Sequence, residues 1–173
     1  MLHSPVIKFI AKALGVSVVW YVIYELWLLP DGNLDAWLSF NIVANSAGIL
    51  QWFGVDVYVV DRIIGIGEAP GIEIIDGCNG IAAIGLFLGF ILAYPGGWTN
   101  RFSFCVLGIG VIYLVNILRI LVLTITQAHY PQFFNFTHDY STTAIFYLFI
   151  FLLWMVWVNY SDAVAEAKPE LAV

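Results

Sequence analysis

Charge is what this chain has least of. Only 10% of its 173 residues are charged, and its 6 Lys and Arg are outnumbered by 12 Asp and Glu. An ordinary soluble domain carries about 25% charged residues. So few cations exclude a nucleic-acid-binding surface, which depends on neutralising phosphates. Cysteine is scarce as well: Cys78 and Cys105 are too few for a disulfide framework, and neither belongs to a CxxC. The histidines and cysteines form no ligand-spaced cluster, which argues against a metal centre. Gly65-Ile-Gly67 lacks the rest of any nucleotide-binding loop, so no cofactor is expected. Apolar residues are what is abundant, at 62%, with a mean hydropathy of +0.92. A soluble domain this small would still expose roughly a third of its chain surface. The solvent for most of this chain is therefore lipid. A single membrane-embedded domain over 1–160 is expected, followed by a cytoplasmic tail at 161–173.

A membrane-crossing helix takes about 20 mostly apolar residues. Four segments qualify. Val6 to Leu29 is ended by Pro30-Asp31-Gly32, and is too long and lacks the small residues for a cleaved leader. Ile81 to Tyr94 reaches crossing length only if its helix starts near Gly77 or Cys78. Phe102 to about Thr126 contains Arg119, and Tyr140 to Val158 is rich in Phe, Leu and Trp. Ala36 to Phe53 is interrupted by Ser39, Asn41, Asn45, Ser46 and Gln51, and is expected as an amphipathic helix on the outer leaflet. Val55 to Val60 and Gly71 to Asp76 alternate at period two and predict a small β-hairpin leading into Cys78. The expected fold is thus an all-α integral membrane protein with about four transmembrane helices. Residues 31–77 form an extracytoplasmic insert carrying the surface helix and the hairpin.

Lys and Arg favour the cytoplasmic side. With four crossings, Lys8, Lys12, Arg101 and Lys168 all fall on one face, so both termini are expected inside. The opposite face receives only Arg62, together with Asp31, Asp35, Asp56, Asp61, Glu68, Glu73, Asp76 and Asp139.

Three reactive groups converge on that outer boundary. Arg119 is an intramembrane charge, costing at least about 2.5–3.5 kcal/mol at mid-bilayer, and such charges are usually functional. The bland alternative is snorkelling, since the expected helix end lies five to seven residues away, roughly 8–10 Å. Asn116, three residues earlier, shares its face. Cys78 lies in Asp76-Gly-Cys-Asn-Gly80, where a polar loop becomes a helix whose N-terminus would favour a thiolate. Asp76 opposes that, so a neighbouring cation would be needed; spacing alone leaves Cys78 open between nucleophile and structural thiol. Cys105, deep in its helix, is read as an inert packing thiol. His138, next to Asp139, could act as a base, whereas His129 is read as solvated. Gly85 and Gly89 permit close helix approach, with packing inside the bundle preferred over docking of a substrate helix.

The run Asp-Gly-Cys78-Asn-Gly80-Ile81, then Asn116-Ile-Leu-Arg119-Ile120, then His138 resembles the exosortase/archaeosortase family of prokaryotic membrane transpeptidases. The resemblance spans roughly Val55 to Trp157, in a short form without the extra membrane helices of many relatives. It implies a thiol protease and transpeptidase in the prokaryotic cell membrane, with its active site on the extracytoplasmic side. Its partners would be exported proteins ending in a short motif, a transmembrane helix and a basic cluster, with the acceptor unspecified. By that resemblance Cys78 is the nucleophile, His138 the general acid and base, and Arg119 the oxyanion stabiliser. Asn116 would hold the Arg119 side chain, while Asn79 and Asp139 are further supporting candidates. Two other classes compete: a transport protein using Arg119 and Asn116 to bind an anion, and a scaffold that keeps the fold without the chemistry.

Overall fold

The computed structural model describes residues 5–167. The tail beyond Ala167, with Lys168, lies outside the described residues. The first helix, α1 (Pro5–Ile23), continues through a π-turn (Tyr24–Leu28) and a last turn (Leu29–Asp31). Next come α2 (Asn33–Trp52) and a three-stranded sheet of β1 (Val57–Val60), β2 (Ile63–Ile66) and β3 (Ile72–Glu73). Then follow α3 (Ile81–Ala93) and the long α4 (Trp98–His129). Short turns at Pro131–Phe133, Phe134–Phe136 and Thr137–Ser141 lead into α5 (Thr142–Ala167).

Three helices are long and apolar enough to cross a membrane: Val6–Asp31, Trp98–His129 and Pro131–Ser161. The expected crossing at Ile81 to Tyr94 differs. Its helix begins at Ile81 rather than near Cys78, because Gly80 at φ +88° takes a left-handed turn that a helix cannot contain. Its 13 residues span only about 20 Å, short of the ≈ 30 Å hydrocarbon core. The non-helical stretch before it is packed against protein only in part, with Ile75, Asp76 and Gly77 exposed. Asn79 and Gly80 are buried, and Ile74 belongs to the core.

The 36–53 segment packs one face against α4 and the sheet. Its buried stripe holds Asp35, Ser39 and Ser46 beside Leu38, Ile42 and Leu50, while Trp37, Phe40 and Trp52 point outward. The buried face thus mixes three polar side chains into an apolar stripe, while Asn45 and Gln51 stay exposed. The N-terminal end of α2 is tied to the Cys78 turn and its C-terminal end runs into the sheet.

The expected hairpin is a sheet in the order β1-β2-β3, all antiparallel. Val57–Val60 pairs with Ile63–Ile66, which the hairpin reading passed over, and that strand pairs with Ile72–Glu73. The two-residue turn Asp61-Arg62, with Asp61 at φ +56°, closes the first hairpin. Tyr58 lies flat over Gly65, where a Cβ would come within 2.3 Å of the ring, and its hydroxyl donates to the Ala69 carbonyl at 2.8 Å. Ile64, Ile72 and Ile74 seat the sheet on Ile117, Ile120 and Leu123 of α4.

At the opposite end the packing is aromatic. Phe87, Ile112, Ile150 and Trp157 form one core, with Cys105 packed against it. The Phe87 ring fills the space beside Gly108, and Trp157 that beside Gly96. Gly85 receives Trp20 of α1, and Val16 lies 3.9 Å from where a Cβ on Gly89 would stand. The small face of α3 is therefore taken up by α1, in line with packing rather than substrate docking.

Candidate active site

Asp35 holds the Cys78 turn, and the loop acids of the sequence gave no sign of it. Its side chain is fully buried. Oδ1 accepts from the Tyr24 hydroxyl at 3.0 Å, the Asn79 amide at 2.7 Å and the Gly77 N–H at 3.3 Å. The π-turn in α1 faces Tyr24 inward to make this contact. Asn79 in turn accepts the Ile81 N–H at 3.2 Å, capping the entry to α3. The Cys78 N–H donates to the Ile75 carbonyl at 3.1 Å, closing the turn. Cys78 thus lies in a braced bend before the helix, not in its first turn, and the helix dipole acts on it less directly than expected. The cation needed beside Asp76 is Arg62, which forms an ion pair with that carboxylate. The hydrogen bond to Asp76 pushes the Arg62 pKa above its ordinary value.

Gly80 explains a further piece of the architecture. A Cβ there would sit 3.4 Å from the Asn116 amide nitrogen and 3.7 Å from Phe146. Asn116 is fully buried, and neither of its amide atoms has a hydrogen-bond partner among the described residues. It therefore backs the Cys78 turn, and does not hold Arg119 as expected: no hydrogen bond joins them among the described residues.

Arg119 lies ten residues before His129, the last residue of α4. That is about 15 Å of helix, longer than the sequence suggested and a harder reach for snorkelling. Its Nε is buried without a partner, and its guanidinium carbon stands 6.0 Å from the Phe146 ring centre. His138 occupies the second π-turn. Its Nδ1 meets Asp139 Oδ1 at 2.8 Å and its ring stacks on Phe134 with centres 5.9 Å apart.

One cavity of about 370 Å³ collects these groups. Cys78, Arg119 and His138 all line it, with β3 and the residues around it along one side and Leu123, Gln127 and Phe134 along the other. His129 is exposed and is not among its lining residues. Of the outer acids Asp56, Asp61, Glu68 and Glu73, only Glu73 borders it. Among the described residues no three His, Cys, Asp or Glu side chains are grouped to hold a metal ion. A half-buried free thiol, an imidazole braced by a carboxylate and a guanidinium with donors to spare is a set suited to acyl transfer.

A family model for transmembrane exosortases matches residues 2–155. The chain belongs to the transmembrane exosortase family. The match runs from α1 into α5 and takes in the whole cavity wall, so the exosortase unit coincides with the bundle and its sheet. No match to the chain is found among curated proteins or among solved structures.

Proposed function

We propose that this exosortase is a cysteine transpeptidase that cleaves the C-terminal sorting tails of exported proteins and passes the new carboxyl terminus to an acceptor. The observation that carries the reading is the shared cavity of Cys78, Arg119 and His138, contributed by the turn before α3, by α4 and by the turn before α5. Asp139 at Nδ1 orients the His138 ring, and Nε2 is the nitrogen proposed for proton exchange. That nitrogen takes the thiol proton as Cys78 Sγ attacks the scissile carbonyl carbon. The tetrahedral oxyanion forms against the Arg119 guanidinium. The C–N bond then breaks, His138 returns the proton to the leaving amine, and a thioester on Cys78 remains. An acceptor nucleophile attacks the thioester, gives its proton to His138 and releases the thiolate.

The orientation proposed is both termini in the cytoplasm and the cavity outside. Supporting it, Phe9 packs on Tyr94 and Arg101 donates to the Tyr94 carbonyl, which gathers Lys8, Lys12 and Arg101 at the end of the bundle away from the cavity.

The test is co-expression with an exported protein bearing a motif, a transmembrane helix and a basic tail, following tail loss on gels. Wild type is expected to trim it and Cys78→Ala to leave it whole. Equal trimming by both would remove Cys78 as nucleophile.

A further inference from the structure

We infer that the substrate enters the cavity as an extended strand added to the outer edge of β3, with Glu73 as the residue it pairs with. This rests on the proposed function and names how that site reads its polypeptide. The register decides which groups are on offer. Ile74 N–H bonds to the Arg62 carbonyl, so residues 74 and 62 form a hydrogen-bonded pair, and Ile63 opposite Glu73 a non-hydrogen-bonded one. The N–H and C=O of Glu73 consequently point away from β2. The other edge of the sheet, β1, runs against α2, whereas residues 71–75 form one wall of the cavity that contains Cys78. A chain that supplies its own N–H and C=O there gains two backbone hydrogen bonds and is led along the wall to the sulfur.

The sheet geometry also sets which side chains are read. Ile72 and Ile74 face the core, and Glu73 between them is exposed. In an added strand, the residue opposite Glu73 points outward with it, and its two neighbours point inward. Inward lie Leu123 and Phe134, an apolar floor. The substrate class is thus a segment with apolar residues on either side of a freely variable one.

Two measurements decide it. In the tail-loss assay with the same co-expressed exported protein, Glu73→Pro deletes the outward N–H without touching a ladder bond, and Glu73→Ala keeps that N–H. The proline variant is expected to lose roughly tenfold more in kcat/KM than the alanine variant, through KM. Its Cys78 alkylation by iodoacetamide should stay at the wild-type rate, showing an intact site. Equal losses in both variants overturn the strand. Independently of the proline variant's folding, Cys78→Ala protein in detergent, mixed with that tail protein, should protect the Glu73 amide from hydrogen exchange. No protection on binding overturns the proposal as well. Failure of the parent reading is distinct: wild type and Cys78→Ala would then trim alike.

Discussion

The two arginines of α4 sit at opposite ends of one bundle and are treated differently. Arg101 is buried, donates to the Tyr94 carbonyl at 2.9 Å and lies 4.7 Å over the Trp98 ring. Each arginine has its Nε buried without a partner among the described residues, but Arg119 borders the cavity with Cys78 and His138. Around Arg101 the bundle is sealed by Phe87, Trp157 and the glycines beneath them. Around Arg119 the core includes Asp35, Asn79 and Asn116, and a turn takes the place of helix. Lipid gives helices no hydrophobic reason to associate, so the first end relies on close packing. The second end gives up some of that packing to hold polar groups ready. One end supports the molecule and the other leaves donors for a ligand.

The sharpest way to break this contrast is to truncate both arginines. Arg119→Ala should lower the rate of tail loss about 10²–10³-fold, as removal of an oxyanion donor does. Arg101→Ala should leave the rate per folded molecule close to wild type while lowering the melting temperature in detergent. Similar rate losses in both would erase the distinction. Next in size is Asp35→Ala, which removes the acceptor of the Gly77 N–H and the Tyr24 hydroxyl. It leaves the Asn79 amide only the longer bond to the residue 35 carbonyl, at 3.3 Å. Each buried group left unpaired costs about 1–3 kcal/mol. Thermal unfolding should show the loss, and Cys78 alkylation kinetics should change as the turn relaxes; unchanged kinetics would mean that the turn stands without Asp35.

Gly108→Ala probes the sealed end. A Cβ would lie 2.1 Å from the Phe87 ring, and overpacking of this kind costs typically 1–3 kcal/mol. Stability should fall while alkylation of Cys78 stays at the wild-type rate, since the clash is remote from the cavity. The smallest effect is expected for Arg62→Ala. Its pair with Asp76 is partly exposed, and such surface bridges are worth about 0–1 kcal/mol. A slightly slower alkylation of Cys78 is expected as Asp76 loses its cation; a faster one would contradict the role given to Arg62.

Hydropathy alone determined that the chain is a membrane bundle, because three long apolar helices have no other stable solvent. Residue type drew attention to Cys78 and Arg119, since a charge in lipid and a thiol among glycines stand out against an apolar background. Spacing alone left Cys78 open, and His138 joined them only through the family resemblance. Tertiary structure decided the rest. Asp35 looked like any loop acid, and only folding α2 into the bundle buries it against the Cys78 turn. Asn116 shares a helix face with Arg119, yet the close approach of Gly80 puts its amide behind the turn. The strand at Ile63–Ile66 was hidden because a glycine breaks its pattern and Tyr58, from the neighbouring strand, supplies the missing bulk. Periodicity reports what one segment can bury; which polar group meets which is settled only when distant segments pack.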